Sequence, residues 1–476
     1  MQTRPPHKPC WQPAVGLLLL SGLLAGCATP TPSGPPATPL TTQQLDLPAA
    51  TASTVSDRWW QALGDPTLTR LIEQARQHAP SLKVAAARVR EAAAQSGLAD
   101  SRRGPQLDAN AALDRERYSA NGLMPPPIAG SYRTLYSASL DGSWELDLWG
   151  KHSAEVEAVL GQQRALELDG RQAELLLAQA VASQYTALQR AMAQQQLTTA
   201  RQNLADSRLQ LLRARVSAGL LSGDALRPAE VLQAQLKQQS SALRGDEARA
   251  RHALAALTGQ APAALDKLAV APLAPPPPLD EAVLNAGLLG QRPDVVAQRE
   301  RLEAEAQSVK AARAAFYPNV QLSAFIGLSS LDIGQLLQSE SRMLGIAPAI
   351  TLPIFHSGAL RANLGREQAR YDQAVESYNQ TVLEALRQAA DALANRDQTR
   401  QQLADARQAE DSARRASDAG AARLRAGLID KLGLLGTQDT ELAQRANRLD
   451  SQAASQLAFA NLNTALGGGL LVPAPH

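Results

Sequence analysis

Leu140-Asp141-Gly142-Ser143-Trp144-Glu145-Leu146-Asp147-Leu148 alternates apolar and polar residues, and Trp149-Gly150 then leads into residues 151–217, which hold no proline. A period of two is a strand, and a long proline-free run rich in Ala, Leu, Gln and Glu is a helix. Three other segments read as strands. Leu107, Ala109, Ala111 and Leu113 alternate with Asp108, Asn110 and Ala112, and Val320, Leu322, Ala324, Ile326 and Leu328 alternate with Gln321, Ser323, Phe325 and Gly327. The fourth, about 346–354, is interrupted by Pro348 and Pro353. Acidic residues on one face suit a barrel wall with lipid outside and water inside, although a half-buried soluble sheet has the same period. Asp108, Asp141, Glu145 and Asp147 would face the water, and Trp144 and Trp149 suit an interfacial belt as well as a core. Four strands cannot close a barrel, and lipid does not tolerate an open edge, so several chains must share any membrane sheet. Two chains would give a plugged barrel and three a pore.

Working outward, the elements occur twice. Pro80-Ser81-Leu82 matches Pro293-Asp294-Val295, Arg88 matches Arg301, and Pro105-Gln106-Leu107 matches Pro318-Asn319-Val320. Ala218-Gly219-Leu220 likewise matches Ala426-Gly427-Leu428. Each copy holds a helix (about 66–101 and 280–314), two strands, a very long helix (about 151–217 and 358–426), a tight turn and a returning helix ending near Gly259 or Gly467. The expected layout is repeats at 57–270 and 280–467, joined by a proline connector at 271–279 and followed by a tail at 468–476. Helices of that length extend on the order of 100 Å, more than a compact domain needs. Leu197, Ala200, Leu204, Ser207, Leu211, Ala214 and Ala218 form a heptad stripe suited to closely packed antiparallel coiled coils. The residues by themselves thus give a fold that is mainly α with a small β part: long antiparallel coiled-coil helices, and a sheet that several chains must share if it lies in a membrane.

Composition removes other classes. Aromatic residues make up only 3% of the chain, too few for ordinary globular cores. Without Arg4 and Lys8 the chain holds 45 basic and 45 acidic residues, so charge gives no case for nucleic acid. The six histidines are scattered, and the two cysteines, Cys10 and Cys27, lie too near the N-terminus to staple a fold, which leaves no metal site. No nucleophile arrangement, acid pair with supporting context or phosphate loop is present, so no catalytic residue or enzyme activity is expected. Gly467-Gly468-Gly469 reads as a helix stop.

Residues 1–26 read as a secretory signal, with Arg4 and Lys8 before the apolar run 14–20. It ends Leu23-Leu24-Ala25-Gly26-Cys27, which resembles the bacterial lipobox and implies a covalent lipid on Cys27, the only bound group expected. Ala28 follows, which by the same analogy favours the outer membrane. Residues 27–56 form a proline-rich tether.

Taken together, these residues resemble the TolC/OprM-like outer-membrane efflux factors, in their lipoprotein branch. The resemblance is carried by Trp59-Trp60-Gln61-Ala62-Leu63-Gly64-Asp65-Pro66, Trp144-Glu145-Leu146-Asp147-Leu148-Trp149-Gly150, Arg292-Pro293-Asp294, Phe316-Tyr317-Pro318, Leu352-Pro353-Ile354-Phe355 and Arg425-Ala426-Gly427-Leu428. It covers nearly all of 57–467. It implies a homotrimer whose protomers share a twelve-stranded transmembrane β-barrel, four strands from each chain, and a long antiparallel coiled-coil helical barrel that forms a periplasmic tunnel. It also implies a periplasmic adaptor (membrane fusion) protein and an inner-membrane RND-type pump as partners, and outer-membrane lipid around the barrel. The resulting function is a passive duct for drugs and other small molecules. A lipid-anchored periplasmic coiled-coil stalk without a pore is the alternative, and the alternating strands argue against it. A cell-wall hydrolase ranks behind both.

The resemblance places the tips at Gly219, Leu220, Arg425, Ala426, Gly427 and Leu428, where the adaptor would be received. The family's acidic Leu-Leu-Asp-Ala-Gln pattern is replaced by Leu434-Leu435-Gly436-Thr437-Gln438. Asp430, nearer the tip, becomes the candidate gate acid, with Asp224 holding the similar post-turn place in the first copy. A ring of carboxylates on a threefold axis would attract cations. The competing reading makes Asp430 the N-cap of the returning helix.

Overall fold

The computed structural model describes residues 37–40, 56–277, 291–353 and 357–469. The signal segment, Cys27 and most of the tether lie outside the described residues, as do parts of the connector, Phe355 and most of the tail. The chain divides into two compact units, one made of Met1–Thr38, Leu98–Ala158 and Glu305–Gln373, the other of Pro39–Gly97, Val159–Ala304 and Ala374–His476.

The helices are α1 (Pro66–His78), α2 (Pro80–Ser101), α3 (Lys151–Ser217), α4 (Arg227–Leu257), α5 (Pro293–Ala314), α6 (Ser357–Arg425) and α7 (Lys431–Ala465); the strands are β1 (Gln106–Arg117), β2 (Tyr132–Leu146), β3 (Asn319–Ser330) and β4 (Arg342–Thr351). Element order is as expected, with one break: the first helix divides at Ala79. Pro80 disfavours helical geometry at the residue before it and offers no N–H, so the chain bends there.

The first unit is built on an antiparallel sheet in the order β1-β2-β3-β4. Register puts Leu107, Gly142, Ala324 and Ile346 in one row, and Ala109, Leu140, Ile326 and Leu344 in the next. Asp108, Asp141, Phe325 and Gly345 share a row on the opposite face. Leu107, Ile326, Leu344, Ile346 and Ile350 are each at least 60% exposed, so among the described residues nothing covers this apolar face. β1 and β4 are both edges. Pro348 sits on β4, where a missing donor is tolerated. The Phe325 ring fills the space beside Gly345, 2.5 Å from where a Cβ would stand, so any larger residue there must displace it.

Several boundaries differ from expectation: β4 begins at Arg342 and not near 346, and the stretch 280–290 of the expected second-copy helix lies outside the described residues. β1 continues through Asp114-Arg115-Glu116-Arg117, and β2 begins at Tyr132, because these ends pair with each other although their charges hide the period. β2 also ends at Leu146. Asp147 leaves the wall and caps α3, accepting from His152 N (3.1 Å), Ser153 N (2.8 Å) and Ser153 Oγ (2.7 Å).

The second unit carries the core. Trp59 and Trp60 pack edge-to-face with Phe459 beneath Trp59, and α1 contributes Leu68, Leu71, Ile72 and Ala75. These meet Val181, Tyr185 and Leu188 of α3 and Leu254 of α4. Burying each Leu or Ile contributes about 1.5–3 kcal/mol, which makes this cluster the unit's main anchor. Asp65 caps α1 through Thr67 N and Leu68 N, and accepts from the Tyr185 hydroxyl at 2.8 Å. Burial pushes that phenol well above its usual range.

The heptad stripe requires correction. Within the chain α3 buries Thr198, Ala205 and Leu212, one residue on from the expected seam, together with Leu209. Leu197, Ala200, Leu204 and Leu211 are half-buried, and Ser207, Ala214 and Ala218 are exposed. Ala and Leu recur on adjacent stripes of α3, and polar contacts choose between them. Gln195 bonds Ser240 and Gln202 bonds the Leu236 carbonyl on α4, while Arg190, Gln194 and Arg201 reach Asp450 and Asp439 on α7.

Candidate functional site

The two hairpin tips belong to the second unit and are built alike. At the end of α3, Gly219 (φ +70°) donates to the Val216 carbonyl (3.0 Å), and Leu220 donates to Arg215 (2.8 Å). At the end of α6, Gly427 (φ +71°) donates to Leu424 (3.0 Å), and Leu428 donates to Arg423 (2.9 Å). This pair of bonds satisfies the last carbonyls of each helix, and the positive φ requires glycine at the turn. Nothing lies within 4 Å of a Cβ placed at either glycine, so each is set by backbone conformation, not by space. The next residues are apolar and bare: Leu220 is 71% and Leu428 74% exposed. Arg425 and Ala426 are exposed as well.

Asp430 is the N-cap of α7, its carboxylate accepting from Gly433 N at 2.8 Å. It also takes an ion pair from Arg215 Nη2 at 2.9 Å, which ties the first hairpin to the second within one chain. The Gly433 N–H, and then Arg215, hold its carboxyl below the usual carboxylate range. The capping reading is thus correct, and it leaves the second carboxylate oxygen engaged with a cation. Asp224 does not occupy the equivalent place. Three residues beyond Gly219 stands Ser222, whose hydroxyl accepts from Asp224 N (3.2 Å) and caps the short turn Gly223–Leu226. Asp224 is exposed and lies inside that turn. Sequence reading missed Arg215 and Ser222. The serine could have been found by counting from the glycine, the arginine only from the fold.

In the first unit the wall acids are less free than their spacing suggests. Asp141 accepts from Asn110 (2.8 Å) and Ser139 (2.6 Å), and Glu145 is paired with Lys151 (3.1 Å). Trp149 stacks on Tyr317 at 4.8 Å and donates to the Pro318 carbonyl, while Trp144 donates to Arg103 O. Both tryptophans keep exposed faces at the same end of the sheet.

Among the described residues no cluster of His, Cys, Asp or Glu could hold a metal ion, and no helix is long and apolar enough to cross a membrane. Among the described residues, a four-stranded sheet with an uncovered apolar face accompanies long paired helical hairpins, an arrangement that suits an outer-membrane channel. The family model described as outer membrane efflux protein matches residues 71–260 and 286–468, and the chain belongs to that family. It is 32% identical to the multidrug resistance outer membrane protein MdtQ of Escherichia coli O157:H7, over 97% of this chain and 99% of that protein. Among solved structures, VceC of Vibrio cholerae is 30% identical with a TM-score of 0.78, covering 87% of this chain and 99% of its own. The outer-membrane channel OprN is 26% identical with a TM-score of 0.78, covering 93% and 99%. The protein is an outer-membrane efflux channel component, and its place is the cell outer membrane.

Proposed function

We propose that three copies of the chain join their sheets edge to edge into one twelve-stranded barrel, a passive duct continued below by the helices. The observation that carries this is the sheet itself: two unpaired edges flanking an apolar face that no element among the described residues covers. Purified protein in a planar bilayer should conduct, and native mass measurement should count three chains; a non-conducting monomer would end this reading.

The half-covered α3 stripe supports helix packing against neighbouring copies. A family of transport ducts suits a chain that conducts without catalysis and takes no cofactor other than lipid. Lipidation of Cys27 is proposed on the lipobox, and incorporation of labelled palmitate tests it.

The tips are proposed as the contact for a periplasmic adaptor, served by an inner-membrane pump of the RND type. Exposed Leu220 and Leu428 support this, since bare leucines at a polar hairpin end suit a partner's apolar groove. The double variant L220D/L428D should form normal oligomers and lose most efflux-dependent drug resistance. Normal resistance at normal expression would remove the tips from the contact.

Asp430 is proposed as a gate acid that also caps its helix. Asparagine is a good N-cap, so Asp430→Asn keeps the helix start while removing the charge that holds Arg215. Cation preference should fall, or leak of large antibiotics rise, with thermal stability little changed. The carboxyl's lowered pKa means the ion pair is present at neutral pH and is lost only as pH falls through the lowered value. The parent protein should therefore approach the variant's selectivity only in acid below the ordinary aspartate range. Identical selectivity and leak in the two proteins would reduce Asp430 to a cap.

A further inference from the structure

The second unit holds a cavity of about 320 Å³ that none of the preceding features uses. One wall is the connector, Pro275, Pro276 and Pro277; another is α6, with Arg396, Arg400, Leu403, Ala404 and Arg407; Ser455 and Phe459 of α7 complete it. The spacing 396, 400, 403, 407 lies along a single helix face, so three guanidinium groups and one leucine point to the same side. The proline wall is fixed in place. Gln452 donates to the Leu273 carbonyl at 2.7 Å, Gln456 to Ala274 at 2.5 Å, and Gln189 to Ala271 at 3.1 Å. A proline segment held by three side-chain amides gives a preformed, stiff wall, and the prolines, Leu403, Ala404 and Phe459 make the interior largely apolar.

The charge within it is unbalanced. No carboxylate lines the cavity. Arg396 shares its neighbour Asp397 at 2.7 Å, Arg400 approaches the same carboxylate only at 3.9 Å, and Arg407 has no ion pair among the described residues. Guanidinium groups at the mouth of an apolar hollow select a carboxylate, sulfate or phosphate head on an apolar body, and the size is at the lower end for small-molecule sites.

We infer that this cavity binds a small amphipathic organic anion, of the class of a medium-chain aliphatic carboxylate. The head sits between Arg400 and Arg407, and the chain lies against Phe459 and the prolines. The site is separate from the tips and from the sheet, and its occupancy does not depend on conduction.

Equilibrium dialysis of the assembled full-length protein in amphipol against radiolabelled octanoate tests it. One saturable site per chain is expected, with octylammonium and octanol failing to compete and inorganic phosphate competing weakly. R400Q/R407Q, which changes two exposed side chains, should weaken octanoate at least tenfold without altering oligomer mass or melting temperature. A404E, which adds a carboxylate to the wall, should do the same. Equal competition by octanol, unchanged affinity in R400Q/R407Q, or no saturable binding because a neighbouring copy fills the cavity would each overturn the inference.

Discussion

Ile326→Arg should leave almost no assembled protein in the outer membrane. Ile326 is 60% exposed near the middle of β3, in the apolar row with Ala109, Leu140 and Leu344. In the proposed barrel that row faces hydrocarbon, where an arginine costs about 2–4 kcal/mol near the midplane. Each assembly would carry three such charges. Gln321→Arg is the control, since Gln321 is exposed on the opposite face of the same strand, in the row of Glu145. It should assemble normally. The readout is the heat-resistant oligomer in the outer-membrane fraction on unheated gels. Equal yields from both variants would mean that the apolar face does not meet lipid.

Arg292→Met should lower the unfolding midpoint by roughly 6–12 °C. Arg292 is only 4% exposed and makes four bonds: two to Asp294 (3.0 and 2.6 Å), one to the Ala465 carbonyl at the end of α7 (2.9 Å) and one to Gln388 on α6 (2.9 Å). It therefore closes a helix C-terminus with a cation and ties it to two other elements. Removing one partner of a buried ion pair costs about 3–5 kcal/mol, and the lower figure applies because Asp294 is partly exposed. At about 2–4 °C per kcal/mol for a body of 150–250 residues, that gives the stated fall, and the larger size of this unit places the result toward its lower end. Lysine, which lacks the planar fork, should fall between parent and methionine variant. Calorimetry at one fixed scan rate decides, because such assemblies melt irreversibly. A shift under 2 °C would leave the Arg-Pro-Asp motif without a structural role.

How far the residues reveal these features depends on the range of the interaction. The strands at 107–113 and 320–328, the long helices and the glycine turns follow from local periodicity and backbone conformation, and each stands where its pattern puts it. The helix break at Ala79 has an equally local cause in Pro80, which the reading of 66–101 as one helix overlooks. What stayed hidden depends on contacts distant in sequence. The seam of α3 is selected by Gln195 and Gln202 against α4, and no period distinguishes it from the stripe one residue away. Arg215 meets Asp430 only because two hairpins lie together. Asp224 and Ser222 both follow Gly219 closely, and it is the Ser222 hydroxyl that caps the turn, since a hydroxyl does so as well as a carboxylate. Asp147 and Glu145 read alike as wall acids, yet one ends the strand and the other neutralises a lysine.

The unpaired edges of β1 and β4 also have a kinetic meaning. In the proposed barrel a chain whose sheet cannot close by itself has no finished native state in isolation, so its last folding step is an encounter between copies. The rate of that step rises with a power of concentration above the first, so slow synthesis penalises the channel more than it would a one-chain barrel. Until the encounter, both edges offer ladders to any extended strand nearby. The interval between export and closure is thus when the protein is most exposed to aggregation and proteolysis, and halving expression should reduce functional channels by more than half.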